Sequence, residues 1–186
     1  MKKINKKIII SLLVFLIVLV MVIITLNIIK KERIKKIELG DSIYEKIHNL
    51  YYYGESLKYE KDELGDYIIS NYEVIENIVS DSFIDNVNKF LNITKKNDKY
   101  YIKPVGKGLS GYYETKLEIK KISKNKIEYK AISTLCKIDS IVSYGKGCTS
   151  DGYYEVEKPF ILVKEKGLWK VSEYTSIFQF SDREIK

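Results

Sequence analysis

The chain predicts an α+β protein, with an N-terminal transmembrane helix followed by helices packed on a curved antiparallel β-sheet. Three observations give this expectation. Residues 8–29 form an unbroken apolar run, IIISLLVFLIVLVMVIITLNII, in which only Ser11, Thr25 and Asn27 are polar. Between residues 41 and 91 the apolar side chains recur at helical spacings. From residue 99 onward they alternate with charges, the period of a half-buried strand.

The apolar run sets the domain organisation. Its helical length is about 33 Å at ~1.5 Å per residue, the thickness of a bilayer's hydrocarbon core. A cleaved signal peptide has a shorter apolar core of about 7–15 residues and small residues at its cleavage site. Here the only alanine is Ala131, and no cysteine follows the run to support lipoprotein processing. The expectation is therefore an uncleaved signal anchor. Residues 1–36 are a basic-flanked transmembrane anchor spanning about 8–29, and residues 37–186 are a single extracytoplasmic α+β domain.

Lysines fence the span on both sides. Lys2, Lys3, Lys6 and Lys7 precede it, and Lys30, Lys31, Arg33, Lys35 and Lys36 follow it, against one Glu32. The positive-inside count is close to a tie. A very short N-terminal tail stays inside with the first basic cluster, and the cysteine pair described below favours an outside domain. The expected placement is a single pass through the plasma membrane with the C-terminal domain outside.

Net charge is +7 for the whole chain, but residues 1–36 carry nine of the 32 basic side chains and one of the 25 acidic ones. The remainder is nearly neutral, with 23 basic and 24 acidic groups, so charge gives no case for nucleic-acid binding. Residues 37–94 are acidic, 12 against 4, and residues 95–186 are basic, 19 against 12. The plain reading is two solvated faces of opposite sign. Lys, Ile, Asn and Tyr are abundant, while Ala occurs once and Arg only at 33 and 183. That is the bias of an A+T-rich bacterial genome. The 16 tyrosines supply much of the core and of any binding surface.

Element by element, residues 30–40 are expected to prolong the anchor helix. A new helix is expected at Asp41 or Ser42, with Ser42 and Glu45 as a capping box and Ile43, Ile47 and Leu50 on one face. Gly54, after Tyr51, Tyr52 and Tyr53, reads as its stop. A second helical region begins near Lys61 and breaks around Ser70 and Asn71. A third has Asp81 as cap and Phe83, Ile84, Val87, Phe90 and Leu91 on one face. Strands follow: residues 99–105, stopped by Pro104 and the Gly106, Gly108, Gly111 loop; Tyr113, Thr115, Leu117 and Ile119; then, after a turn at 123–126, Ile127, Tyr129 and Ala131. A polar loop at 145–152 precedes Tyr154, Val156, Phe160 and Leu162, where Pro159 implies an edge position or a bulge. Lys166 and Gly167 turn the chain into Trp169 and Val171.

Candidate chemistry is sparse. Cys136 and Cys148, with 11 residues between them, form a disulfide if the domain is outside, closing a loop worth roughly 3 kcal/mol. In a cytosolic domain they are two unpaired thiols. Two cysteines without neighbouring His or further Cys leave a metal shell unfilled. His48 is the only histidine and lies off the stripe of the first helix. A Cys–His nucleophile pair would need a thiol that the disulfide consumes. Gly106-Lys107-Gly108 lacks the spacing of a phosphate-binding loop, and Asn92-Ile93-Thr94 is a glycosylation triplet of a kind common by chance. No catalytic, cofactor or metal residue is expected, and the chain does not read as an enzyme.

The stretches DELGDYIISNYEVIENIVSDSFIDNVNKFL, NDKYYIKPVGKG and PFILVKEKGLWKVSEY resemble secreted bacterial inhibitors of cell-wall D,L-endopeptidases of the IseA/YoeB type. The shared features are a helical segment, a strand with a Gly-bearing loop, and a late strand reading G-x-W-K-v, over roughly residues 60–175. The resemblance implies an acidic surface that engages the active-site cleft of NlpC-type peptidases, although no family residue maps onto a single position here. With the charge split, it makes the acidic helical half the expected partner surface, at Glu60, Asp62, Glu63, Asp66, Glu73 and Glu76. The retained anchor and the cysteine pair depart from that family. The same late strand, after leading helices, is also similar to NTF2-like domains, whose membrane-anchored versions serve as assembly parts of envelope machines. The functional expectation is a membrane-anchored extracytoplasmic binding protein, an inhibitor or regulator of cell-wall peptidases, with a protein partner at the outer cell surface. The alternative is an NTF2-like structural subunit of an envelope, secretion, conjugation or sporulation complex.

Overall fold

The structure, a computed structural model, describes residues 6–54, 56–103, 114–138, 141–143 and 153–175. Two compact units divide the chain, Met1–Leu39 and Gly40–Lys186. The architecture is α+β, as the periodicities predict: a long apolar helix comes first, and two antiparallel sheets follow.

Helix α1 (Lys6–Tyr53) begins, within the first unit, with a stretch long and apolar enough to cross a membrane, and none of that stretch is buried. The large side chains from Ile10 to Ile29 are all exposed. Within it, the Thr25 hydroxyl donates to the carbonyl of Met21 at 2.8 Å. That bond satisfies the hydroxyl hydrogen within the helix itself. No new helix starts at Asp41 or Ser42, because α1 is continuous there. The backbone N–H groups of residues 42–45 already have carbonyls one turn upstream, so Ser42 and Glu45 have no orphan donors to cap. The helix does end at Gly54, with φ +57° and its N–H on the Leu50 carbonyl at 3.2 Å.

The second unit departs from the expected helix. The segment from Lys61 toward Ser70 is not helical but a hairpin of strands β1 (Tyr59–Lys61) and β2 (Tyr67–Ile69). Asp62 decides it: its Oδ1 accepts from the N–H groups of Leu64 at 3.0 Å and Asp66 at 2.8 Å, while Gly65 takes φ +85°. A carboxylate folding the chain over itself outcompetes a helical turn. Helices α2 (Glu73–Ile78) and α3 (Ile84–Phe90) follow. Asp81 does not cap α3, whose N-cap position is Phe83. The apolar stripe is as read, with Phe83, Val87 and Leu91 buried.

Strands β3 (Ile93–Lys96) and β4 (Lys99–Ile102) form a second hairpin, of which only β4 is expected from periodicity. Its two-residue turn is Asn97–Asp98, both at positive φ, which matches the right-handed twist of the flanking strands. The first sheet runs in the order β1-β2-β4-β3. The second is larger: β5 (Glu114–Ile122), β6 (Lys126–Ile138), β8 (Tyr153–Glu165) and β9 (Leu168–Glu173) lie in that order, and β7 (Ile141–Ser143) pairs the far end of β6. Register shifts at Ile119/Lys121 and at Ile161/Leu162 are the bulges that bend such a sheet. Pro159 sits before β9 begins to pair β8 at Ile161, where the missing N–H costs no ladder bond on that side.

The core lies between the inner face of the second sheet and the 40–53 segment of α1. Leu117, Ile127, Tyr129, Ala131, Val156, Phe160, Leu162 and Val171 are buried from the sheet, and Ile43, Ile47 and Leu50 from the helix. A parallel bridge between Val79 and Val171, with the Ser80 N–H on the Val171 carbonyl at 2.9 Å, pins the α2–α3 segment to β9.

Candidate functional site

The helix–sheet contact is made of rings. Tyr44 meets Phe160 edge-on at 5.1 Å and Tyr174 at 5.4 Å. Tyr51 stacks on Phe90 at 4.3 Å and meets Tyr174 edge-on at 5.0 Å. Each such pair adds about 0.5–1.5 kcal/mol beyond the area it buries. His48 sits half-buried at the rim of this cluster, parallel to Tyr44, with Nδ1 3.3 Å from the Tyr174 hydroxyl. Burial pulls its pKa down to about 4, so the ring is neutral at physiological pH. Its setting is a packed aromatic rim, and the chemistry it supports is hydrogen bonding to a phenol. Among the described residues no three His, Cys, Asp or Glu side chains gather as a metal shell.

The six acidic residues read as a partner surface fall on two elements. Glu60 lies on β1, Asp62, Glu63 and Asp66 on the β1–β2 turn, and Glu73 and Glu76 in the first turn of α2. Five of them are exposed, whereas Asp62 is half-buried and spends its carboxylate on the turn. Asp62 is thus a positioning residue that fixes where Glu63 and Asp66 point. The helical surface expected for Glu60, Asp62, Glu63 and Asp66 is replaced by a hairpin tip. Cys148 lies outside the described residues, as does the side chain of Cys136, which joins β6 opposite Ser143 and Tyr153 through its backbone.

The outer faces of the two sheets differ in charge pairing. On the second sheet, lysines and glutamates alternate in contact: Lys116 with Glu118 at 2.8 Å, Lys126 with Glu128 at 2.9 Å, and Lys130 with Glu157. On the first sheet, the residues facing out include Ile68 and Tyr101, directly opposite each other and half-exposed, flanked by Glu60 and Thr94. Periodicity alone misses this face, because its strands are only three and four residues long. No family model matches the chain, and no curated protein matches it.

Proposed function

We propose that the chain is a membrane-anchored binding protein, held by residues 8–29 in the plasma membrane with its α+β domain on the outside, and that it regulates a cell-wall peptidase. The carrying observation is the apolar stretch of α1 from Ile10 to Ile29, exposed throughout, in which the Thr25 hydroxyl is bonded internally. The hydrocarbon of a bilayer would offset that exposure. The peptidase reading draws support from the exposed carboxylates Glu60, Glu63 and Asp66 on the hairpin and Glu73 and Glu76 on α2, charges suited to electrostatic docking against a basic cleft rim.

The test is binding of the full chain, in detergent micelles, to an NlpC-type D,L-endopeptidase domain at low and raised salt. The reading expects binding that weakens with salt and is lost on combining Glu60→Gln, Glu63→Gln and Asp66→Asn. No binding at any ionic strength would sink it. A second reading, an NTF2-like subunit of an envelope complex, draws on the two bulges that curve the larger sheet. Self-association of the solubilised chain, or co-purification with a channel assembly, would favour it.

A further inference from the structure

Register gathers lysines from distant parts of the chain on the outer face of the first sheet. Lys96 and Lys99 stand directly opposite each other on β3 and β4. The ladder extends one residue past β1, where the Ser70 N–H bonds the Lys58 carbonyl at 3.0 Å, and this places Lys58 in the same cross-strand row. Across strands about 4.8 Å apart, the row Lys58–Ser70–Lys99–Lys96 spans roughly 14 Å. All four residues are exposed, and among the described residues none of the three amines forms an ion pair.

Like charges directly opposite on adjacent strands destabilise a sheet. The neighbouring sheet avoids this by pairing its lysines with glutamates. Here, among the described residues, no carboxylate offsets the repulsion and only the Tyr101 ring lies near the Lys96 amine, and a local rule broken in this way points to a surface kept for a ligand. The adjacent row adds a half-exposed ring: Tyr101 lies two residues along β4 from Lys99, with the Lys96 amine 5.9 Å from its centroid and Thr94 opposite. Asp62 and Asp66 stand at the other end of the face, about four residues or roughly 13 Å away.

We propose that this face binds an anionic glycan, laid across the strands along Lys58, Lys99 and Lys96 with one sugar ring on Tyr101. The lysines supply point charges for phosphate or carboxylate groups. The tyrosine supplies a flat apolar surface, and Thr94 supplies a hydroxyl. The open sheet face favours a stacked ring over the pocketed side chains of a peptide. A single outward tyrosine, among acids on the same face, is poorly matched to single-stranded nucleic acid, which needs successive stacking partners.

The test uses the full chain in detergent micelles and five polymer probes: polygalacturonate, glycosylated poly(ribitol phosphate), dextran, polyglutamate and a single-stranded oligonucleotide. Binding is expected for polygalacturonate or the ribitol phosphate polymer, and the preference between them separates carboxylate from phosphodiester. Lys96→Gln with Lys99→Gln should weaken it about tenfold, and Tyr101→Leu should also weaken it. Lys120→Gln with Lys124→Gln, on the other sheet's side, should leave it unchanged and controls for the loss of two surface charges. The K96Q/K99Q chain should melt no lower than the parent, since a repulsion is removed. Failure of both anionic glycans to bind, equal binding of dextran, polyglutamate or the oligonucleotide, or indifference to K96Q/K99Q would overturn the proposal.

Discussion

Gly40 lies against the ring of Tyr129: a Cβ built on Gly40 would stand 2.7 Å from two of its carbons and 3.0 Å from its hydroxyl oxygen. Glycine inside a helix normally costs about 0.5–1 kcal/mol relative to alanine. Here the smallest residue lets the helix touch β6, and Tyr129, 1% exposed, has nowhere to retreat. Gly40→Ala should therefore destabilise the domain by about 1–2 kcal/mol, the helix gain being outweighed by overpacking. Thermal denaturation of the solubilised chain would show it, and an unchanged or raised midpoint would mean the ring yields.

Phe160 anchors the same contact. It is fully buried and touches Tyr44, Tyr129 and Tyr174. Phe160→Ala should cost about 3–5 kcal/mol, and Phe160→Leu much less, by denaturant titration.

The buried His48 makes stability depend on pH with a defined sign. Its folded pKa of about 4 lies below the ordinary 6.5, so between these values the unfolded chain binds more protons. Stability is then full above about pH 6.5 and falls as pH drops toward 4, by about 1–2 kcal/mol after allowing for the partly exposed ring. His48→Gln should flatten this part of the profile when denaturation is compared at pH 4.5 and 7.5. A parallel profile for the variant would refute the assignment.

The β3–β4 turn holds Asn97 and Asp98 at φ +47° and +59°. Asn-Gly is the pair such a turn prefers. Asp98→Gly removes a left-handed aspartate and only a solvent-exposed ion pair with Lys95. It should stabilise the domain by about 0.5 kcal/mol, seen as a small rise in melting midpoint.

These residues also show what a single sequence discloses. The apolar run of α1 and the alternation in β5, β6 and β8 are long enough for period to decide, and they are read correctly. The β1–β2 hairpin is not, since three-residue strands carry no period, and only Asp62 and Gly65 signal the turn. Ser42 and Glu45 spell a helix start that the running helix makes redundant. Long-range facts were not legible at all: that Gly40 meets Tyr129, that His48 meets Tyr174, and that Lys58 joins the row of Lys96 and Lys99. Each depends on which segments pair across 30 residues or more, which no local pattern encodes.

The proposed placement of the domain on the outer side of the membrane can be decided by thiol accessibility. Intact cells carrying the full chain are treated with a membrane-impermeant thiol reagent, before and after an impermeant reductant. The account predicts that Cys136 and Cys148 are labelled on intact cells only after reduction, as an outside disulfide requires. Labelling that appears only once the membrane is breached would place the domain in the cytosol and contradict it.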